Sequence, residues 1–366
     1  MKLTFQQADL AESVNIVLKA VPSKTTMPIL ECILIDASAK EIKFTANDME
    51  LGIETLVKGT IEEKGKVALD ARLLSDIVRR MPNSLVTIET DQNNLATITC
   101  EKARFDLPGR DAEEFALLPD VEKEDFISIS QFSLKEIIRQ TIFSIAPNEN
   151  NKLMTGECFE IKEGALKVVS LDGHRIAIRN TELKNTCPDK KVVVPGKTLL
   201  EISKILSGEM DDQVQIYFSD NYLLFEFNNT VVLSRLIDGE YFRIDQMLST
   251  DYETKVVINR QQFINSIDRA TLLVRESDKM PVILNINDEV MELQINTTLG
   301  SMDEETPIEK EGKDITIGFN PKFLLDALRV IDDENVTLYF VNAKAPCFIR
   351  DENDSYIYLI LPVNVR

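Results

Sequence analysis

The sequence predicts an α+β protein of three similar domains, residues 1–122, 123–250 and 251–366, each a duplicated βαβββ unit with two helices on one face of curved antiparallel sheets. Three observations predict it. An eight-residue pattern, basic-x-Leu-x-acidic-x-x-basic, runs from Arg72 to Arg79, from Lys197 to Lys204 and from Lys322 to Arg329, with 125 residues between successive copies. A second set of amphipathic segments interleaves with the first, carried by Leu10, Val14 and Leu18, by Leu134, Ile138 and Ile142, and by Phe263 and Ile267. Between these segments, short runs alternate apolar and polar residues at period two, as half-buried strands do.

In chain order, Leu3-Thr4-Phe5 reads as a strand that leads into a helix over 6–20. Val67-Ala68-Leu69 leads into a helix over 71–81, and Ile127-Ser128-Ile129 into one over 131–145, where Ser133 and Glu136 have the spacing of a capping box. Val192-Val193-Val194 precedes a helix over 195–207, Val256-Val257-Ile258 one over 260–274, and Ile315-Thr316-Ile317 one over 320–331. Strands are expected at 43–46, 85–88, 214–218 and 336–340, separated by turn clusters such as Pro82-Asn83-Ser84 and Ser219-Asp220-Asn221. Met27-Pro28-Ile29-Leu30 recurs as Met280-Pro281-Val282-Ile283-Leu284. Linkers are expected near 119–124 and 248–254.

Of the 366 residues, 44% are apolar and 28% charged, which suits a folded core and excludes a disordered chain. No run approaches the ~18 apolar residues of a membrane span, and the first residues lack the apolar stretch of a signal peptide, so a cytoplasmic protein is expected. The five cysteines are an odd number without a C-x-x-C pair, as for reduced thiols. A single histidine, His174, excludes any site built from two imidazoles. Neither a phosphate-binding G-x-x-x-x-G-K nor a G-x-G-x-x-G loop occurs, so no nucleotide cofactor is expected.

The net charge is −20, which taken evenly would oppose nucleic acid. It is not even. The six expected helices sum to +5 and the rest of the chain to −25. Within the eight-residue pattern the two cations stand seven apart, on one helix face, while the Leu at the third position points away from them toward the sheet. Arg72, Arg79, Lys197, Lys204, Lys322 and Arg329 therefore form basic stripes suited to a polyanion. The same pattern also fits i,i+4 ion pairs (Arg72–Asp76, Lys197–Glu201, Lys322–Asp326), which would leave an ordinary solvated face.

The six half-domains, the segment Ser170-Leu171-Asp172-Gly173-His174-Arg175-Ile176-Ala177 and the ending Tyr358-Leu359-Ile360-Leu361-Pro362-Val363 resemble the bacterial sliding clamp, the β subunit of DNA polymerase III. Asn320-Pro321-Lys322-Phe323-Leu324 is similar to the same family, and the likeness spans the whole chain. It implies the DNA clamp fold: a head-to-tail homodimeric ring with helices lining a channel for duplex DNA, and neither catalysis nor metal nor cofactor. Lys24 and Arg80 join the basic stripes by family match.

The resemblance also implies a cleft where polymerase, clamp loader and repair proteins bind by short peptides. Leu171, Gly173, His174, Arg175 and Ile176 match one wall, with His174 and Arg175 expected as polar partners at the rim. Leu153 and Met154 match a neighbouring strand, Met247 a hydrophobic position, and Leu359, Leu361, Pro362 and Val363 the C-terminal wall. Tyr241-Phe242-Arg243 departs from the family's aromatic-Pro-Asp. Phe105 and Leu107 match one side of the dimer seam, Leu272 and Leu273 the other. Two other classes stand beside this reading: a metal-dependent phosphoesterase using the acidic runs 303–305 and 332–334, which are expected as solvated loop tips, and an interaction scaffold that never meets DNA.

Overall fold

The computed structural model describes residues 1–147, 151–185, 187–274 and 280–364. Among the described residues there are six α-helices: α1 (Gln7–Val17), α2 (Ala71–Arg80), α3 (Gln131–Thr141), α4 (Gly196–Ile205), α5 (Arg260–Thr271) and α6 (Pro321–Val330). The helix expected over 6–20 ends as α1 followed by a 3-10 turn, Leu18–Ala20. Four of the starts have a local side-chain cause. The Asp70 side chain accepts from the Leu73 amide at α2, Asn259 from Gln262 at α5, and Asn320 from Lys322 at α6, where Pro321 sits harmlessly in the first turn. At α3 the capping box is corrected: Ser130 Oγ takes the Ser133 amide at 3.0 Å, so Ser133 lies inside the helix and Glu136 turns to Arg139. Leu74, Leu199 and Leu324, the third positions of the repeat, are fully buried.

Two compact units divide the chain, Met1–Leu134 with Lys197–Leu236, and Lys135–Gly196 with Ile237–Arg366. In the first unit, a five-stranded sheet runs Thr60–Glu63, Lys2–Gln6, Leu85–Thr90, Leu95–Cys100, Ala103–Pro108. Its eight-stranded sheet runs Phe126–Ser130, Gln213–Phe218, Tyr222–Phe227, Thr230–Arg235, Leu51–Val57, Ile42–Asn47, Cys32–Asp36, Lys66–Asp70. In the second unit, a nine-stranded sheet runs Lys190–Pro195, Gly156–Lys162, Ala165–Leu171, Arg175–Glu182, Tyr356–Ile360, Cys347–Arg350, Asn335–Phe340, Thr254–Asn259, Glu309–Gly312. A four-stranded sheet runs Gly300–Pro307, Val290–Thr297, Val282–Asn287, Ile315–Phe319. The named strand pairs are antiparallel throughout.

The two large sheets are joints between repeats. Leu233 faces Gly52 in one and Leu359 faces Ile176 in the other, so the last strand of one half-domain pairs with the last strand of another. Main-chain pairing of this kind removes strand edges that would otherwise stay open. The acidic run at 303–305 is a correction: it lies in the strand Gly300–Pro307, where alternation turns Glu304 toward Arg269 of α5. The run at 332–334 does follow α6 as a loop, with Asp332 paired to Arg139 and Asp333 accepting from the Tyr356 hydroxyl. No described helix is long and apolar enough to cross a membrane.

Candidate functional site

The resemblance segment folds as a strand, a turn and a strand. Ala165–Leu171 and Arg175–Glu182 pair, with Leu171 facing Ile176, and Tyr356–Ile360 adds on the far side with Leu359 facing Ile176. The turn is built by Asp172, whose Oδ1 accepts from the amides of His174 (3.0 Å) and Arg175 (3.2 Å). Gly173 has φ +82°, and nothing stands within 4 Å of where its Cβ would be, so the backbone angle rather than crowding asks for glycine. The chain end closes on this turn: the Leu361 amide donates to the His174 carbonyl at 2.9 Å, and the Val363 amide to the Gly318 carbonyl at 2.9 Å.

Leu171, Ile176 and Leu359 belong to one apolar cluster with Cys158, Val169, Tyr241, Ile244 and Phe348, and Leu153, Met154, Phe242 and Leu248 pack half-buried against it. At its margin Met247 (52% exposed), Leu361 (38%) and Val363 (38%) present apolar surface to water. An apolar floor with exposed apolar rims is the form of a peptide-docking surface. Leu153 and Met154 lie in a 3-10 turn, Lys152–Thr155, started by the Asn151 side chain, rather than in the expected strand. At the departure from the family pattern, Phe242 meets Tyr241 edge-on at 5.5 Å between ring centroids, while Arg243 is exposed with Glu240 3.7 Å away. Ile244 and Phe348 are not legible in the sequence as cleft residues, because no periodicity links them to the turn. Burial pushes the Cys158 thiol up to about 12, which suits a packing role.

Arg175 is not at the rim. Its side chain is 8% exposed and donates to Asp172 Oδ2 (2.9 Å), Asp326 Oδ2 (2.6 Å) and the Phe143 carbonyl. The guanidinium carbon lies 4.5 Å from the Phe323 ring centre and 5.4 Å from that of Phe143. A desolvated cation needs this many partners, and they come from α6 and the segment after α3. His174 is exposed as expected, and its ring stacks on Phe323 at 6.0 Å.

The cations of the repeat are all exposed: Lys24, Arg72, Arg79, Arg80, Lys197, Lys204, Lys322 and Arg329. None of the three i,i+4 pairs forms among the described residues. Arg72 donates to the carbonyls of Pro22 and Ser23, Lys197 pairs with Asp48, and Asp326 is taken by Arg175. Asp76 instead holds Arg79 and Arg80, Glu201 holds Lys204, and Asp268 holds Arg329. Exposed pairs like these are weak, so a phosphate can replace the carboxylate at little cost.

At the expected seam, Phe105 (40% exposed) and Leu107 (8%) lie in the strand Ala103–Pro108, and Leu272 (79%) directly follows α5. Leu273 is half-buried against the core beneath that helix. Leu107 is mostly covered by its own fold, beside a recess of about 310 Å³ that also reaches Cys32, Leu73 and Arg110. Among the described residues, no cluster of three metal-ligating side chains occurs.

Three family models match in succession: the DNA polymerase III beta subunit N-terminal domain over residues 1–119, its central domain over 128–242 and its C-terminal domain over 245–364. The beta sliding clamp of Bacillus subtilis is 37% identical over 378 residues, covering 99% of both chains, and that of Staphylococcus aureus strain Mu50 is 34% identical over 374, again covering 99% of both. Among solved structures, a protein from Eubacterium rectale described as a putative DNA polymerase III beta subunit is 63% identical with a TM-score of 0.97 over the whole of both chains. The Bacillus subtilis clamp structure is 36% identical at 0.97, again over the whole of both chains. A Pseudomonas aeruginosa clamp at 25% identity and TM-score 0.94, covering all of both chains, was solved bound to griselimycin. The chain belongs to the DNA polymerase III beta subunit family, the beta sliding clamps, which are non-catalytic processivity factors. Membership implies DNA and a polymerase as partners.

Proposed function

We propose that this chain pairs head to tail with a second copy into a closed ring around duplex DNA in the cytoplasm. Polymerase, clamp loader and repair proteins then dock by short apolar peptides in the cleft at Ile176 and Leu359. No cofactor or metal enters this reading. The observation that carries it is an unfilled place in the sheet pattern. Of six half-domain sheets, four are joined through their last strands and two are not: among the described residues, the edges Ala103–Pro108 and Gly300–Pro307 have no neighbour on their outer side. One edge belongs to the first domain and the other to the third, so a second copy offers each the edge it lacks, a heterologous contact that we take to close into a ring.

Carrying the Leu233–Gly52 register to these edges sets Asp106 opposite Ser301, Phe105 opposite Met302 and Arg104 opposite Asp303. Apolar then meets apolar on the helix side, and opposite charges meet on the other. Held by topology, DNA needs no tight grip, and exposed cations that meet phosphates without reading bases suit sliding. The test is native mass, expected near twice 41.5 kDa, together with loading on circular and linear duplex. A monomer at micromolar concentration, or equal retention on linear and circular DNA, overturns the reading.

A further inference from the structure

The turn that builds the partner cleft has a twin in the first unit. Asp48 Oδ1 accepts from the amides of Glu50 (3.1 Å) and Leu51 (2.7 Å), as Asp172 does from His174 and Arg175. Met49 has φ +76° where Gly173 has +82°. The Glu50 carbonyl accepts the Arg235 amide at 2.8 Å, as the His174 carbonyl accepts that of Leu361. Gly52 then faces Leu233 as Ile176 faces Leu359. The two joints are built alike, down to the apolar cluster on the outer face of the sheet.

They differ at one place. Where the partner cleft has the Ile176 side chain, its twin has none, and Leu118 fills the space: a Cβ on Gly52 would stand 2.1 Å from Leu118 Cδ2. Leu118 packs half-buried against the cluster of Val121, Tyr217, Leu224 and Leu233. The backbone two residues before it is tied as well, because Asn47 Nδ2 donates to the Ala116 carbonyl at 2.6 Å. What remains is a recess of about 100 Å³ between Met49, Leu51, Tyr222 and Leu233. Leu117, 70% exposed, lies next to it and leaves Leu118 as the anchor.

We infer that this is a second docking groove for an apolar peptide, held shut by the chain's own residues 116–119. Residues 116–119 bind there as a partner peptide would bind at the other groove, by one half-buried leucine and a main-chain carbonyl. Intramolecular attachment gives it a local concentration that a free peptide does not reach. Each chain therefore offers one open groove and one closed one, and partners compete for a single place. The inference rests on the proposed peptide role of the open cleft.

The test uses the full-length protein and a fluorescein-labelled peptide carrying one Gln and three large apolar residues, titrated by calorimetry and anisotropy. Wild type is expected to take one peptide per chain, and Leu118→Ala two. Adding Met247→Glu and Leu361→Glu to Leu118→Ala abolishes binding at the open cleft and leaves one, and that arm reports on the twin groove even if the open cleft binds nothing. A single site in Leu118→Ala that disappears with the two glutamates overturns the inference. Gly52→Ala supplies a second readout without any peptide. Its methyl collides with Leu118, so amide exchange at 117–121 should accelerate by about tenfold while the strand Thr230–Arg235 stays protected. Unchanged exchange at 117–121 overturns the inference even if Leu118→Ala fails to fold.

Discussion

Arg175 and Asp326 meet at 2.6 Å across 151 residues of sequence, and the pair ties the cleft turn to α6, the helix that carries Lys322 and Arg329. The guanidinium is buried, so without Asp326 it keeps one carboxylate, Asp172, and is left with an unmatched donor. Asp326→Ala should cost about 1–3 kcal/mol, read as a lowered melting temperature. Peptide affinity should fall with it although Asp326 touches no peptide. A melting temperature within a degree or two of wild type would show that the pair does not hold the wall.

For DNA, the cations divide into two sets. Lys24, Arg72 and Lys322 have no carboxylate partner among the described residues, whereas Arg79, Lys204 and Arg329 do. Lys24→Glu/Arg72→Glu/Lys322→Glu should weaken retention on circular duplex more than reversing the paired three. The slope of log affinity against log salt should drop by roughly one for each phosphate no longer neutralised. Equal effects in both triple variants, or a weakening insensitive to salt, would count against phosphate binding by these side chains.

The seam prediction uses two changes of opposite sense. Leu272→Asp/Leu273→Asp should yield folded monomers, because charge in an apolar seam is unpaired. Phe105→Cys/Met302→Cys should form an intermolecular disulfide on mild oxidation, since facing strand positions lie about 4.5–5.5 Å apart. A dimer that survives the first change and resists cross-linking in the second would move the seam elsewhere.

How much of this is legible in the sequence follows from range. The helices are, because Leu74, Leu199 and Leu324 repeat inside a local pattern that burial obeys. The joints are not: nothing near Gly52 announces Leu233, and nothing near Ile176 announces Leu359. Arg175 escapes for the same reason, since a cation beside Gly173 and His174 looks solvated until Asp326 and Phe323 arrive from another domain. The strand Gly300–Pro307 is hidden by the charges at 303–305, which suit the edge proposed for the seam. Leu118 lies just before the expected linker, where two adjacent leucines carry no periodicity.

Glu157 sets a pH dependence. It is fully buried in the strand Gly156–Lys162, and burial pushes its carboxyl up to about 8, with Thr141 offsetting only part of that. The folded chain therefore keeps a proton that the unfolded chain gives up near pH 4.5. Stability is full below that value and is lost as pH rises toward 8, by up to about 1.4 kcal/mol per pH unit. Glu157→Gln removes the slope. Denaturant midpoints at pH 5 and pH 8 should show the variant gaining on wild type at the higher pH, and an equal difference at both would refute the assignment.

Deleting residues 362–366 tests the cleft itself. Pro362 and Val363 are proposed as its C-terminal wall, and Val363 is pinned by one main-chain bond to Gly318. The deletion leaves Leu361 bonded to the His174 carbonyl, touches neither free edge strand, and removes no cation of the basic helix faces. A peptide leucine or phenylalanine fully buried against this wall contributes about 1.5–3 kcal/mol before ordering costs. Losing the wall should therefore weaken peptide binding by about tenfold or more. The truncated protein should keep its dimer mass and its retention on circular DNA, yet fail to stimulate a polymerase. Met247→Glu attacks the opposite margin and should give the same split between intact ring and lost peptide. If both variants bind the labelled peptide as wild type does while remaining dimeric, partners dock elsewhere, and the free-edge argument for the ring stands untouched.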